Sequence, residues 1–204
     1  PLLGLSRMGP APRSSLNRPI GPHRRWEMVT IDLAEVKRVR KALGGTVNDV
    51  ILAVMAGALR SLLLSRGEEP GRELRVLVPV SVRRPEERGS LGNHVAAMFC
   101  PLPVGEPDPE ERLRCVTSAM RHLKESRQAV GALALTHLSD FSPPTLAAQA
   151  ARLQVMTRWF NVVVTNVPGP QIPLYLLGRK LAACYPAVPL PPEQTIGVAL
   201  LSYN

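Results

Sequence analysis

Asn161-Val-Val-Val-Thr-Asn166-Val-Pro-Gly-Pro170 decides how the rest of the chain is read. Val162 to Thr165 are β-branched, and a short run of such residues favours a strand covered on both faces. Pro168 fixes its own φ and has no N–H, Gly169 can take the positive φ of a type II turn, and Pro170 restricts Gly169 further. The stretch predicts a buried strand stopped by a stiff turn, with Asn166 held at the strand end. An amide there either bridges backbone groups of its own loop or presents a donor and an acceptor to a ligand at the sheet edge.

Working outward, Lys180 to Ala187 and Gln194 to Tyr203 are strand-like and separated by Pro189, Pro191 and Pro192. Upstream, Ser142-Pro143-Pro144 starts a helix to about Trp159, preceded by a looser apolar segment through Leu133 to Leu138. Asp108-Pro109-Glu110-Glu111 combines a cap, a proline at the first helical position and carboxylates at the positive end of the dipole, which predicts a helix to about Val130. Glu73 to Val80 and the stretch near His94 to Leu102 are expected strands and sheet neighbours.

Nearer the start, Thr46-x-x-Asp49 is a capping-box signal for the most apolar helix, which runs through Val50, Ile51, Val54, Met55 and Leu62 to a stop at Gly67. Apolar nearly all round, it is expected to be buried. Asp32-x-x-Glu35 opens an earlier helix through Leu33, Val36 and Val39, ended by Gly44-Gly45. Alternation from Trp26 to Ile31 predicts a strand before it. Residues 1–25 hold Gly9-Pro10, Pro12, Pro19, Gly21-Pro22 and five arginines, and read as an extended basic connector leading into a domain over 26–204. Strands interleaved with helices, without a regular βαβ count, predict an α/β fold: a two-layer sandwich with a mixed sheet and helices on one face.

No apolar run reaches the ~20 residues a bilayer span needs, since Val50 to Leu59 ends at Arg60, so the expectation is a soluble globular chain. It opens on Pro1 without a charged-then-apolar leader, which reads as a piece of something longer. Cys100, Cys115 and Cys184 lack paired spacing, as expected of reduced thiols in a cytoplasmic protein and of neither a disulfide framework nor a zinc site. The formal charge of +9 is concentrated early: residues 1–60 hold ten Lys and Arg against four Asp and Glu. With aromatics at 4% there is no stacking platform for single strands, and the charge suits an anionic cofactor, a lipid surface or an acidic partner as well as nucleic acid.

His137-Leu-Ser-Asp140 places a His and a carboxylate three apart, and His23 precedes Glu27 by four, yet both fit ordinary local pairs. The chain holds no Gly-x-Ser-x-Gly, phosphate loop, dinucleotide fingerprint or His-Glu-x-x-His. Asp49 is accounted for by the capping box. Asn48 is not, and its amide projects from a helix N-terminus, where an anionic or carbonyl group is favoured.

One set of motifs, in order, resembles the C-terminal half of bacterial wax ester synthase/diacylglycerol acyltransferases. It comprises Ser15-Leu-Asn17 with Gly21-Pro-x-Arg24-Arg25, Thr46-Val-Asn48-Asp49-Val with Ala56-Gly57-Ala58-Leu59-Arg60, Val78-Pro-Val-Ser81-Val-Arg83, Leu91-Gly-Asn93, Thr165-Asn-Val-Pro-Gly-Pro170 and Ser202-Tyr-Asn204. The resemblance implies one lobe of a chloramphenicol acetyltransferase-like and condensation-domain-like enzyme, with two similar halves around a tunnel. It implies an acyl-CoA donor, a diacylglycerol or fatty-alcohol acceptor, no permanently bound cofactor and no metal. The family's base is the second His of an H-H-x-x-x-D-G motif in the N-terminal half, a motif this chain lacks, so an N-terminal half is the implied partner and the chain alone is expected to be inactive.

Carried over by motif, Asn48 and Asp49 are the family's activity-associated pair, and Asn166, Val167, Pro168, Gly169 and Pro170 its loop beside the tunnel. Arg24, Arg25, Arg83 and Arg84 are expected CoA phosphate contacts by charge and loop position. The resemblance further implies a cytoplasmic protein, peripheral at membrane or lipid inclusions, with no nucleic-acid partner. Two other readings stand beside it: a noncatalytic acyl-CoA or lipid-binding module, and half of a condensation-type acyltransferase using a carrier-bound donor.

Overall fold

The structure, a computed structural model, describes residues 9–81, 95–125, 159–170 and 172–203. In chain order the described elements are α1 (Leu33–Leu43), α2 (Val47–Ser65), β1 (Leu74–Ser81), β2 (Val95–Leu102), α3 (Pro109–Glu125), β3 (Val162–Pro168), β4 (Tyr175–Leu176), β5 (Arg179–Lys180) and β6 (Gly197–Ser202). Four strands form one sheet in the order β2-β1-β3-β6. β1 and β2 are antiparallel from Leu74↔Leu102 to Ser81↔Val95, while β3 runs parallel to both β1 and β6. The sheet is mixed as expected, and β1 and β2 are the predicted neighbours.

Alternation sets the faces. Leu74, Val76 and Val78 lie opposite Leu102, Cys100 and Met98, and all six are buried on the side that also receives Val162 and Val164. Leu52, Ala56 and Leu59 of α2 and Leu113, Val116 and Met120 of α3 pack against that side in a single core. The result is the predicted two-layer α/β sandwich, with the described helices α2 and α3 packed on one face of the sheet.

Each helix start has a local cause. Asp32 Oδ1 accepts the Ala34 N–H at 2.8 Å to open α1, but Glu35 does not close a capping box; its Oε1 pairs with Arg38 at 3.1 Å. At α2 the box is complete, with Thr46 Oγ1 accepting the Asp49 N–H at 3.2 Å and Asp49 Oδ2 accepting the Thr46 N–H at 2.8 Å. α2 ends in a Schellman motif: Gly67 has φ +70°, its N–H donates to Leu64 O, and Glu68 N–H donates to Leu63 O. Asp108 Oδ1 accepts the Glu111 N–H at 2.7 Å at the head of α3. Two arginines then fix the loop between β2 and α3: Arg60 Nη1 donates to Val104 O and Gly105 O, and the buried Arg112 donates to Glu106 O and Pro107 O.

Several expectations need correction. Residues 26–31 form no strand: Trp26, Met28, Val29 and Ile31 are exposed, and alternating side chains make a strand only where a neighbour supplies the backbone ladder. Of Lys180 to Ala187 only Lys180 lies in a strand; β4 and β5 instead make a small hairpin across Leu177 (φ +49°) and Gly178 (φ +76°), the positive-φ pair of a type I′ turn. α2 is buried on one side only, with Val54 and Leu64 about half exposed on the other. It is long and apolar enough to cross a membrane by length and composition, and here it buries seven residues, six of them in the hydrophobic core and the seventh Asp49.

The loop after β3 is also unlike the expected turn. β3 continues through Pro168 in parallel register with Ser202, and Gly169 is not among the positive-φ glycines. Glycine is needed there for space, because a Cβ would collide with the Ser202 carbonyl oxygen. The helix expected over 142–159, the segment 133–138, Leu91-Gly-Asn93 and the end of α3 beyond Glu125 lie outside the described residues.

Candidate functional site

Asn161 stands at the root of β3, fully buried, with every amide position engaged. Its Nδ2 donates to Pro12 O and Asn17 Oδ1, both at 2.7 Å, its Oδ1 accepts the Arg75 N–H at 2.7 Å, and its own N–H donates to Arg75 O. These bonds seat the N-terminal segment against β1 and β3. The segment has no helix or strand from residue 9 to 25, but Leu16 is fully buried in the core and its carbonyl accepts both the N–H and the hydroxyl of Thr195. Ser15-Leu-Asn17 is thus a structural seat, and no local signal marks its partners, which lie more than 140 residues away.

Five residues beyond Asn161 the same strand presents Asn166. It shares the helix-side face with Val162 and Val164 and lies opposite Leu200 of β6. Its side chain is half-buried and makes no hydrogen bond among the described residues, so the amide is not spent on bridging its loop. Val167 is exposed, and Ser202 Oγ accepts the Gly169 N–H at 3.4 Å. The loop is therefore held from β6 and not by Asn166.

At the N-terminus of α2 the Asn48-Asp49 pair divides its labour. Asp49 is buried; Oδ2 closes the capping box and Oδ1 has no partner. Gly45 lies against it, where φ is +81° and a Cβ would stand 2.8 Å from Thr117 Oγ1. Asn48 is half-buried, with an amide that makes no hydrogen bond among the described residues. No hydrogen bond among the described residues joins Asn48 or Asp49 to 166–170. Beneath them Cys100 is buried, and its thiol is pushed up to about 12, first by burial and then by the charges of Asp49 and Glu73.

The basic candidates are less organised. Arg24 donates to the carbonyls of Gly21 and His23, and Arg25 pairs with Glu27 at 3.0 Å with both side chains largely exposed. Arg83, Arg84, His137 and Asp140 lie outside the described residues. His23 is exposed, and His122 sits on the outside of α3 at 4.0 Å from Glu125. No group of three or more His, Cys, Asp or Glu among the described residues could hold a metal ion.

Sequence reasoning passed over one polar group. Tyr203 accepts the Leu174 N–H at 2.8 Å and donates to Leu181 O at 3.2 Å, spanning the base of the β4–β5 hairpin. Its position directly after β6, within the terminal Ser202-Tyr-Asn204 motif, was the one available signal.

Comparison with known proteins agrees with this architecture. Residues 91–204 match the family described as the WS/DGAT C-terminal domain, and residues 5–51 match the wax ester synthase/diacylglycerol acyltransferase catalytic domain. The chain is 36% identical over 194 residues to a Mycobacterium tuberculosis protein called "Probable diacyglycerol O-acyltransferase tgs2", a match covering 94% of this chain and 43% of that protein. It is 37% identical over 193 residues to "Probable diacyglycerol O-acyltransferase tgs1" of the same organism, covering 93% of this chain and 42% of that protein. Among solved structures it resembles the wax ester synthase/diacylglycerol acyltransferase from Marinobacter aquaeolei VT8, with TM-score 0.72 and 28% identity over 95% of this chain and 44% of that one. The chain therefore spans less than half the length of these relatives. With more than half of its residues matched by the C-terminal domain and its fold shared with a solved member, the chain belongs to the wax ester synthase/diacylglycerol acyltransferase family.

Proposed function

We propose that this chain is the C-terminal half of an acyl-CoA-dependent O-acyltransferase that forms triacylglycerol or wax esters from diacylglycerol or a long-chain alcohol. The observation that carries this reading is the match along nearly the whole chain to proteins named diacylglycerol O-acyltransferases. In the reaction a base removes the proton from the acceptor hydroxyl, the oxygen attacks the thioester carbonyl, and CoA leaves as the thiol. We assign the base to the other half, because the sequence has no H-H-x-x-x-D-G and, among the described histidines, His23 and His122 are surface residues. Asn48 and Asn166, whose amides are uncommitted, are this half's candidates for holding the thioester or the acceptor, and Asp49 braces the helix that carries Asn48. Arg24, Arg25, Arg83 and Arg84 are offered as phosphate contacts for CoA, which serves as substrate in a protein without a resident cofactor. We further propose a cytoplasmic protein, peripheral at membrane or lipid inclusions.

The complete parent protein, incubated with palmitoyl-CoA and either hexadecanol or diolein, should release CoA only when the acceptor is present. Loss of this release when the upstream His motif is replaced is the expected result. Retained acceptor-dependent release would overturn the assignment of the base. Tight acyl-CoA binding without turnover in the intact parent would establish a noncatalytic binding module instead.

A further inference from the structure

The run from Trp26 to Ile31 has the pattern of a strand and no strand beside it. Trp26, Met28 and Thr30 alternate with Glu27, Val29 and Ile31, and both sets carry apolar side chains, as in a strand covered on two faces. From His23 to Asp32 the chain makes no helix, turn or bend, and every residue from 21 to 32 is exposed. No backbone N–H or carbonyl of residues 25–31 pairs with another backbone group among the described residues. The run is nonetheless held at both ends. Ile20 N–H donates to Pro192 O at 3.0 Å before it, and Asp32 caps α1 after it.

The backbone decides what fits such a run. With Trp26, Met28, Val29 and Ile31 between 55% and 81% exposed, it gains nothing in water that offsets the entropy of keeping it extended. Hydrocarbon would cover the side chains and leave the peptide groups without partners, so neither an acyl chain nor a bilayer interior satisfies it. The edge of another strand supplies both the ladder and the cover. Within this half the outer strands of the described sheet are β2 and β6, and the run pairs with neither. The two mycobacterial relatives, of which the chain covers 43% and 42%, hold more chain outside the matched region than within it, and that remainder is where such an edge can come from.

We infer that residues 26–31 add a strand to a sheet of the N-terminal half, an inference that rests on the reading of this chain as the C-terminal half of a longer protein. The halves then share a backbone ladder as well as side-chain contacts. The segment seated by Leu16 and Asn161 leads directly into it, so the register of the joint is set from this half.

The test uses the complete parent protein. Amide exchange at two or more of residues 27–31 should be at least about a hundredfold slower than in an unstructured chain, and equally slow in dilute and concentrated protein. A photoreactive maleimide on Arg25→Cys, with Cys115 and Cys184 replaced by Ser, should cross-link to peptides upstream of this chain. Val29→Pro, which removes one N–H from the ladder, should reduce the protection of its neighbours at least about tenfold, whereas Val29→Ala should preserve it. Free exchange at all five positions would overturn the inference, as would cross-links confined to residues 1–204. Protection that grows with protein concentration would make a second copy the partner, and protection gained only with phosphatidylglycerol vesicles would make it a lipid surface; either result overturns the inference. A parent that protects these amides but releases no CoA defeats the acyltransferase reading alone, and one that releases CoA with the amides unprotected defeats the strand alone.

Discussion

Asn161 is the residue whose loss should cost the fold most per atom removed. Asn161→Ala strands the Arg75 N–H and leaves Pro12 O and Asn17 Oδ1 without their donor, and a buried unsatisfied group costs about 1–3 kcal/mol, so a loss of about 2–4 kcal/mol is expected in urea denaturation of the parent protein. Asn17→Ala should cost less, about 1–2 kcal/mol, because it removes one short bond, the 2.7 Å donation from Asn161 Nδ2, together with two weak ones over 3.4–3.5 Å, and leaves the other bonds of Asn161 in place. Equal losses would show that the network does not centre on Asn161. Cys100 gives a prediction in pH. Its folded thiol is pushed up to about 12 from the ordinary 9.0, so above pH 9 the unfolded state has released a proton that the folded state keeps. Stability contributed by this group is therefore complete below pH 9 and lost as pH rises toward 12. Replacement by Ala should flatten the alkaline limb of a stability-versus-pH curve, and a thiol reagent at pH 8 should modify the exposed Cys115 and Cys184 but reach Cys100 only on unfolding.

At the scale of elements, the joint between α1 and α2 depends on two glycines for different reasons. Gly44 has φ +86° with open space around it, so Gly44→Ala should cost about 1 kcal/mol through the backbone alone. Gly45→Ala adds contact with Thr117 Oγ1 on α3 and should cost about 2 kcal/mol or more, part of which Thr117→Ala should restore. Failure of that rescue would mean that α3 does not abut the joint. The hairpin predicts the opposite sign: Leu177→Asn places a residue suited to positive φ at the turn and should raise stability by about 0.5–1 kcal/mol. A thermal melt of the parent protein checks this, and an unchanged or lowered melting temperature would contradict it.

For the whole molecule, the exposed apolar residues among the described ones include two runs, Trp26 to Ile31 and Ile172 to Leu177, besides separate positions such as Val54, Leu64 and Val167. Contiguous apolar surface of this kind drives association, so the isolated chain is expected to self-associate and to bind an apolar dye. Sedimentation as a clean, dye-free monomer would contradict this. The isolated chain is also expected to show no acceptor-dependent release of CoA, since its sequence has no H-H-x-x-x-D-G motif and the described histidines, His23 and His122, are surface residues; steady release would place the base within these residues.

Local chemistry was legible before any contact was known. The capping box Thr46 to Asp49, the helix start at Asp108, the stop at Gly67 and the strand Val162 to Val164 all depend on residues within about six positions, and each formed where the sequence put it. The ordered motifs likewise announced the family. What the sequence could not decide were features set by a distant partner. Trp26 to Ile31 alternates like a strand but finds no ladder, Gly169 is required by the Ser202 carbonyl instead of by its own φ, and Ser15-Leu-Asn17 is seated by Asn161 and Thr195. Tyr203 shows the same limit: a phenol can bond to many backbone groups, and only the tertiary fold, by bringing Leu174 and Leu181 to one oxygen, determined which.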